Sequence, residues 1–343
     1  MKALVLNGPL DLELSDLPAP GAPGPGQVRV KVKAVGVCGS DVHYYEHGRI
    51  GDFVVKEPMV LGHEAAGVVE AVGDGVRSLS PGDAVAMEPG VPCGDCRECR
   101  IGRYNLCKDV RFWATPPIDG VLAEFALHPA AMTYKLPAGM NLDEGALMEP
   151  LAVGVHACNR GGVGTGCVVA VNGSGPIGCV TLMAALAYGA SQVVVADVVP
   201  DRLERARELG AETIVDARSE SLDAAVMAAT NGRGADVGIE CSGHPSGPQT
   251  LVDAAAPGGR VVLVGMGPQP TGLDLVAAMV KEVDLATVFR YAHNYPTAID
   301  LTASGRIPVA RLVTDRFPLE DSVAAFEFAS AGRPGTCKVM IDV

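Results

Sequence analysis

The segment VVAVNGSGPIGCVTL (168–182) constrains the fold of this chain more than any other feature. Its apolar start predicts a buried strand, its glycines a tight turn, and the apolar residues after them a helix. Gly173, Gly175 and Gly178 have the G-x-G-x-x-G spacing: the first permits the turn, the second allows close approach to the backbone, and the third lets helix and strand pack closely. Asp197 ends the next predicted strand, nineteen residues after Gly178.

This order of strand, turn, helix, strand and carboxylate predicts a dinucleotide-binding site. The helix N-terminus would offer free N–H groups to a pyrophosphate, and Asp197 would accept hydrogen bonds from the adenosine ribose. Because a 2′-phosphate would meet the charge of Asp197 unfavourably, NAD is favoured over NADP. The alternative is an ordinary glycine-rich turn in an α/β sheet.

The pattern of the sequence changes near residue 165. Residues 1–150 alternate short apolar strands with Gly and Pro turns, and QVRVKVKAVGV (27–37) has the alternation of a half-buried strand. After residue 165, strands and helices alternate, which predicts a parallel sheet with right-handed crossovers. The 343 residues exceed what one core usually supports, so two domains are expected.

Charge and cysteine content restrict the partners and the compartment. The net charge of −13 argues against nucleic acid and against an anionic membrane surface as partners. The sequence lacks an apolar run of about 18 residues, and Asp11 and Glu13 interrupt its start too early for a secretory signal. We therefore expect a cytoplasmic protein whose ten cysteines are reduced and available to bind metal.

The segment CGDCRECRIGRYNLC (93–107) spaces its cysteines as C-x2-C-x2-C-x7-C. Four thiolates so close together suit a tetrahedral zinc ion with a closed ligand shell, which indicates a structural role. Disulfides are disfavoured by the compartment, and the spacing matches neither common ferredoxin pattern. The ligands of this predicted structural site are Cys93, Cys96, Cys99 and Cys107.

A second candidate metal site is spread along the sequence. His63 and Glu64 lie inside the apolar run PMVLGHEAAG, where burying an unpaired carboxylate is costly. They could converge with Cys38 and Glu149, and one Cys, one His and a carboxylate would supply three protein ligands and leave an open position, as a catalytic zinc requires. Spacing alone cannot bring these residues together. A buried apolar cysteine and a surface His–Glu pair are the alternatives.

Longer segments resemble the zinc-dependent medium-chain dehydrogenases, and among them most closely the sorbitol and xylitol (polyol) dehydrogenases. These segments are GVCGSDVHYYEHGRIGDFVVKEPMVLGHEAAG, GDCRECRIGRYNLC, RFWATPPIDGVLAEF, MEPLAVGVHAC and VFRYAHNYP. The resemblance covers nearly the whole chain. It implies a mostly-β GroES-like catalytic domain over 1–150 with the structural-zinc lobe at about 93–107. It also implies a Rossmann doubly wound NAD-binding domain over 151–286 and a return of 287–343 to the catalytic domain.

The resemblance further implies roles for individual residues. Cys38, His63 and Glu64 would hold the catalytic zinc, and Glu149 would be either a ligand or hydrogen-bonded to the zinc-bound water. The chain would then carry two zinc ions per subunit, in a homotetramer or homodimer.

The proton path and the contacts with the two small molecules are also implied. Ser40 and His43 are candidates for carrying the released proton to solvent, although His43 could equally lie near the cleft without a relay role. The implied substrate contacts are Tyr44, Glu149, Arg290 and Tyr291. The implied NAD contacts are Ile177, Asp197, Arg202, Val264, Gly265 and Met266, with Val288, Phe289 and Arg290 on a strand.

The expected reaction is oxidation of a polyol secondary alcohol by NAD to the ketose. Zinc would make the alkoxide available at neutral pH, and hydride would pass to the nicotinamide. One alternative is a dehydrogenase of the same build that acts on a diol, an amino-alcohol or an aldose. Another is a non-catalytic scaffold that binds NAD or zinc.

Overall fold

The strand Gln27–Gly36 shows how alternation in the sequence gives a sheet with one buried face. Val28, Val30 and Val32 are fully buried, and the charged side chains between them are at least partly exposed. This confirms the half-buried strand that the alternation predicts. The computed structural model that gives these positions describes residues 1–267 and 271–343.

Most of the regular secondary structure before residue 136 consists of short strands. In chain order the strands are β1 (Lys2–Gly8), β2 (Asp11–Asp16), β3 (Gln27–Gly36), β4 (Arg49–Ile50), β5 (Phe53–Val54), β6 (Met59–Val60), β7 (Glu64–Val72), β8 (Ala84–Met87), β9 (Gly90–Val91), β10 (Arg111–Phe112), β11 (Phe125–Pro129), β12 (Thr133–Lys135), β13 (Val168–Asn172), β14 (Gln192–Asp197), β15 (Thr213–Asp216), β16 (Ala235–Glu240), β17 (Ala255–Leu263), β18 (Asp284–Thr287), β19 (Val313–Pro318) and β20 (Lys338–Asp342).

The helices have recognisable end signals. Gly48 adopts the left-handed conformation and ends the first helix, and Asn141 caps the third by accepting a hydrogen bond from Glu144 N at 2.9 Å. Over the described residues, none of the helices has both the length and the apolar character needed to cross a bilayer. In chain order they are α1 (Gly39–His47), α2 (Arg97–Arg100), α3 (Leu142–Ala146), α4 (Met148–Gly161), α5 (Pro176–Ala187), α6 (Pro200–Glu208), α7 (Leu222–Ala229), α8 (Gly247–Ala254), α9 (Leu275–Val280), α10 (Tyr295–Ala303) and α11 (Ser322–Ser330).

The described chain forms two compact units, one of Met1–Glu149 with Tyr295–Val343 and the other of Pro150–Asn294. The main sheet of the first unit has the strand order β12-β8-β7-β3-β20-β19, and β11 also pairs with β3. β20 runs antiparallel to β3, with Ile341 opposite Val35. Residues near the end of the sequence therefore complete a sheet whose central strand begins at residue 27.

The second unit contains a parallel sheet with the order β15-β14-β13-β16-β17-β18. In order of appearance this is 3-2-1-4-5-6, the arrangement of a doubly wound dinucleotide-binding fold. Val169 and Ala170 are neighbours on β13, and both are fully buried, so both faces of the sheet are covered. The strand order reverses between β13 and β16, and the carboxyl ends of these strands border the crevice where such folds bind ligands.

A buried carboxylate links the cysteine-rich segment to the sheet of the first unit. Glu88 follows β8 and is 1% exposed. It accepts hydrogen bonds from Tyr104 Oη at 2.7 Å and from Tyr134 Oη at 2.9 Å. Tyr104 lies between the third and fourth cysteines, and Tyr134 lies on β12. A hydrogen bond to a charged acceptor contributes about 1.5–3 kcal/mol to stability.

We predict that Tyr104→Phe lowers the free energy of unfolding by about 1.5–3 kcal/mol, because Glu88 loses one of its donors. Urea denaturation followed by circular dichroism measures the change. Tyr45→Phe is the matched control, since Tyr45 is also buried but its hydroxyl has no hydrogen bond within the described residues. Equal stability of the two variants would contradict the role of Tyr104.

Candidate metal centres and cofactor site

The four cysteines of segment 93–107 form a compact sulfur cluster. The Sγ atoms of Cys93 and Cys99 lie 3.9 Å apart, and those of Cys96 and Cys99 lie 3.5 Å apart. Cys107 Sγ lies 3.5 Å from Cys93 Sγ. A tetrahedral zinc ion with Zn–S bonds of about 2.3 Å needs sulfurs roughly 3.8 Å apart. A disulfide needs about 2.05 Å, so the disulfide alternative is wrong and the cluster fits zinc.

Backbone donors favour the thiolate form within this cluster. The N–H groups of Asp95 and Cys96 lower the pKa of Cys93 to about 7. Burial and the neighbouring thiols raise the pKa of Cys99 to about 12, because four sulfurs this close cannot all carry charge without a cation among them. Zinc would remove that repulsion. The ligand set contains four thiolates and therefore leaves no position for substrate.

The dispersed candidates also come together, through two turns of the first unit. Cys38 follows β3 and is the N-cap residue of α1. His63 directly precedes β7, and Glu64 is the first residue of that strand. One ligand atom from each of these three residues lies within 4.8 Å of the others. Gly36 lies opposite Glu64 in the β3–β7 pair, and a Cβ there would lie 2.1 Å from Glu64 Oε2. Glycine at this position therefore makes room for the buried carboxylate.

Asp41 faces the histidine of this cluster, and no sequence pattern had singled it out. It is fully buried, and its Oδ2 lies 3.3 Å from His63 Nδ1. Its Oδ1 accepts a hydrogen bond from Gly62 N at 3.2 Å. Burial lowers the pKa of His63, but the Asp41 carboxylate and the Cys38 thiol outweigh it and raise that pKa well above its usual value. With Nδ1 facing the carboxylate, Nε2 is the nitrogen left for a metal, as in carboxylate–histidine–metal triads.

Lys338 is the second residue that the sequence analysis missed. Its Nζ donates to both carboxylate oxygens of Glu64 at 2.7 Å and to the carbonyl oxygen of Val37 at 3.3 Å. Both side chains are buried. Burial lowers the pKa of Lys338, but the neighbouring Glu64 and Cys38 outweigh it and raise that pKa above its usual value. Glu64 thus lies next to Cys38 and His63 while it pairs with Lys338.

The other candidates of the first unit lie close to these elements in sequence. Ser40 and His43 lie on α1 and are partly exposed, and Tyr44 on the same helix is buried. Glu149 is buried in the first turn of α4 and is not part of the Cys38–His63–Glu64 cluster. Its contact with the zinc or its water stays a prediction, as do the roles of Ser40, His43 and Tyr44.

The glycine turn of the second unit has the geometry that its spacing predicts. Gly173 has a φ of +95°, and a Cβ on it would lie 2.8 Å or less from Ser242. A Cβ on Gly178 would lie 1.9 Å from Gly173 O, so only glycine allows this close packing of helix and strand. A Cβ on Gly175 would meet nothing within 4 Å. Since Gly175 caps α5, this open space lies at the free N–H groups of a helix and fits a pyrophosphate.

Asp197 ends β14 beside this turn. Its Oδ2 accepts hydrogen bonds from Ser174 N at 2.7 Å and Ser174 Oγ at 3.4 Å, and its Oδ1 accepts one from Val199 N at 2.9 Å. These bonds fix the carboxylate, and Oδ1, which accepts only one of them, keeps acceptor capacity for a ribose hydroxyl. Ile177 lies in the first turn of α5, and Arg202 lies in α6.

The remaining cofactor candidates follow the ends of β17 and β18. Val264 N and Gly265 N both donate to Glu240 O at 2.9 Å, and Met266 is exposed. The prediction that Val288, Phe289 and Arg290 form a strand is wrong. β18 ends at Thr287, and Arg290 has a φ of +55°, which a strand does not permit. Val288 N still donates to Leu263 O at 2.9 Å, and the Arg290 guanidinium lies 4.8 Å from the centre of the Phe289 ring.

Tyr291 is buried in the second unit. Its contact with substrate, and that of Arg290, stays a prediction. The described cofactor candidates all lie at or just after the carboxyl ends of parallel strands, or in the first turns of the helices that follow them.

Known proteins match both units. Residues 24–138 match the alcohol dehydrogenase GroES-like domain, and residues 176–304 match the zinc-binding dehydrogenase domain. The sorbitol dehydrogenase of Rattus norvegicus is 52% identical over 332 residues, which cover 96% of this chain and 93% of that protein.

Solved structures of two dehydrogenases also superpose on the whole chain. L-idonate 5-dehydrogenase of Escherichia coli K-12 superposes with a TM-score of 0.93 at 32% identity, and an alcohol dehydrogenase of E. coli CFT073 in complex with NADH superposes with a TM-score of 0.93 at 31% identity. Both superpositions cover 100% of this chain; the first covers 98% of L-idonate 5-dehydrogenase and the second covers 99% of the alcohol dehydrogenase.

These matches confirm the predicted architecture of a GroES-like domain and a Rossmann domain. They also agree with the sulfur cluster, the Cys38–His63–Glu64 cluster and the glycine turn, which fit zinc and a nicotinamide dinucleotide. The chain therefore belongs to the zinc-binding dehydrogenases with an alcohol dehydrogenase GroES-like domain.

Proposed function

We propose that this chain oxidises a secondary hydroxyl of a sorbitol- or xylitol-type polyol to the ketose, with NAD as the acceptor. The observation that carries the proposal is the buried cluster of Cys38, His63 and Glu64. It occurs in a chain that is 52% identical to the sorbitol dehydrogenase of the rat. A non-catalytic scaffold would have no need for a Cys–His–carboxylate set with an open position.

The residues around the cluster would favour metal binding by fixing its ligand side chains. Cys38 Sγ, His63 Nε2 and a carboxylate oxygen of Glu64 would hold the ion, and Asp41 would keep the proton of His63 on Nδ1. Lys338 would hold the Glu64 carboxylate beside them. When bound, zinc lowers the pKa of an alcohol hydroxyl, and NAD accepts the hydride that leaves the carbon.

The proton released from the alcohol needs a path to solvent. Ser40 and His43 lie on α1, whose first residue follows Cys38, and both are partly exposed. An imidazole accepts a proton on one nitrogen and can release one from the other, which suits a relay at His43. The proposal further assigns substrate contacts to Tyr44, Glu149, Arg290 and Tyr291, because several hydroxyls need several hydrogen-bond partners.

The preference for NAD follows from Asp197. Its carboxylate is held by backbone N–H groups beside the glycine turn and cannot easily swing away. A 2′-phosphate placed against it would experience like-charge repulsion, whereas ribose hydroxyls can donate to it.

Assembly into a homodimer or homotetramer is also part of the proposal. α9 exposes Leu275, Val276, Met279 and Val280, and Val280 is 77% exposed. Beside it, β18 is an edge strand of the parallel sheet, with backbone groups able to pair with another strand. A second copy of the chain would cover the apolar side chains and extend the sheet at the same time, which explains why the two features lie together.

A reducing compartment such as the cytoplasm fits the sulfur cluster. Cys93 is exposed and its pKa is lowered to about 7, so an oxidising medium would readily convert this thiolate to a disulfide. The proposal therefore places the protein in the cytoplasm.

The first prediction from the proposed function concerns substrate and metal. We expect NADH to form with sorbitol or xylitol much faster than with 2-butanol, and metal analysis to find two zinc ions per chain. A chelator should abolish the activity by removing one of them, and added zinc should restore it. Equal rates with 2-butanol and xylitol would contradict the polyol assignment, and activity that survives loss of both ions would contradict the zinc assignment.

The second prediction concerns the cofactor. Asp197→Ala should shift the ratio of kcat/KM for NAD over NADP by about tenfold toward NADP, which corresponds to about 1.4 kcal/mol. Initial rates with each cofactor give the ratio. Glu212→Ala removes the same charge just before β15, at the opposite edge of the sheet, and should leave the ratio unchanged. An unchanged ratio in Asp197→Ala would remove the proposed role of this carboxylate.

The third prediction concerns assembly. Val280→Asp should reduce the molar mass measured by analytical ultracentrifugation by a factor of at least two, because a charge at a buried contact is costly. Leu10→Asp replaces an apolar side chain of the first unit that is 66% exposed, and should leave the mass unchanged. A Val280→Asp protein that keeps the mass of the unsubstituted protein would show that α9 lies outside the subunit interface.

A further inference from the structure

Helix α1 carries a third set of metal-ligating side chains, separate from the two clusters already described. His43, Glu46 and His47 have the spacing i, i+3 and i+4, so they lie on one face of the helix. One ligand atom from each lies within 4.8 Å of the others. Two imidazoles and a carboxylate are a ligand set that suits zinc and nickel, whereas magnesium and calcium prefer oxygen alone.

The side chains are already arranged around a common point. The rings of His43 and His47 lie 4.6 Å apart, centroid to centroid, at an angle of 87°. His47 Nε2 lies 3.7 Å from Glu46 Oε2. The other oxygen of Glu46, Oε1, accepts a hydrogen bond from the Ser330 hydroxyl of α11. This bond restricts the Glu46 carboxylate and leaves Oε2 on the side of His47, so Glu46 has little rotamer freedom to lose on binding.

The electrostatic field at the C-terminal end of α1 favours a cation. α1 ends at His47, and the carbonyl groups of a helix C-terminus give it a partial negative charge. A second carboxylate, Glu327 of α11, lies near the same turn. Glu327 is within electrostatic range of Tyr45, which lies between His43 and Glu46 on α1.

We propose that His43, Glu46 and His47 form a binding site for a third transition-metal ion, Zn²⁺ or Ni²⁺, with water in the remaining positions. The side chain of His47 is 56% exposed and that of Glu46 is 30% exposed, so an ion can reach the site from solvent. With three ligands at the surface, the site holds metal less tightly than the four-thiolate cluster and exchanges it with the medium.

Occupancy of this site has a consequence that rests on the proposed function. His43 is the candidate carrier of the released proton, and a metal would occupy the nitrogen lone pair that accepts it. The metal therefore slows alcohol oxidation by competing with a proton for one imidazole. The third site is thus inhibitory.

The test of the site uses the untagged, zinc-loaded protein with Ni²⁺ as the probe. Equilibrium dialysis followed by metal analysis should find one further equivalent of nickel per chain, with the bound zinc retained. His47→Gln should lose that equivalent and keep the melting temperature of the unsubstituted protein, because His47 lies at the surface. His244→Gln replaces another exposed histidine, which lies outside the cluster, and should keep it. Absence of the extra nickel, or its retention in His47→Gln, would overturn the site.

The inhibitory consequence has a separate readout. The nickel concentration that halves the rate of NADH formation should rise by more than about tenfold in His47→Gln, since loss of even an outer partner weakens metal sites about 10- to 100-fold. Extra nickel bound without inhibition would keep the metal site and overturn the link to His43. A protein without polyol dehydrogenase activity would refute the proposed function, while the dialysis result would still decide the site.

Discussion

Burial of charge around Glu64 is the constraint on which the first unit depends. Removing a carboxylate and an ammonium from water costs several kcal/mol for each ion, and an ion pair only partly offsets this cost. Glu64 and Lys338 are nevertheless both buried in a bidentate contact, beside the buried Asp41 and the thiol of Cys38. With Cys38 ionised, three negative charges would face one positive charge. A divalent cation restores neutrality, so the same arrangement that is costly in an empty site favours metal binding.

Features carried by one continuous segment could be predicted from the sequence. The spacing of the glycines predicted the conformation of the turn, because the positive φ of Gly173 and the close contact of Gly178 are local properties. The cysteine spacing likewise predicted a cluster, because four sulfurs within fifteen residues have few other ways to satisfy one another. The alternation of β3 and the strand–helix alternation of the second unit predicted the two kinds of sheet.

Features that depend on distant segments could not be predicted in this way. The meeting of Cys38 with His63 and Glu64 was suggested by family resemblance, and no spacing rule requires it. Lys338 is separated from Glu64 by 274 positions, and a lone lysine in an apolar strand gives no sign of its partner. Asp41 had a detectable signal, since its position in the first turn after Cys38 suits a capping carboxylate. The wrong strand at Val288–Arg290 was implied by the family resemblance, which carries over residues but does not show a local backbone feature such as the positive φ of Arg290.

The long separation of Glu64 and Lys338 also affects the order of events during synthesis. The ribosome releases the segment that carries Glu64 well before the segment that forms β20 exists. Until then, the carboxylate has no ammonium to pair with, and burying it would leave an uncompensated charge. The nascent first unit can therefore collapse around its apolar strands, but it cannot close over Glu64. The last step of its folding must follow translation of the entire dinucleotide-binding unit, and the metal centre becomes complete only then.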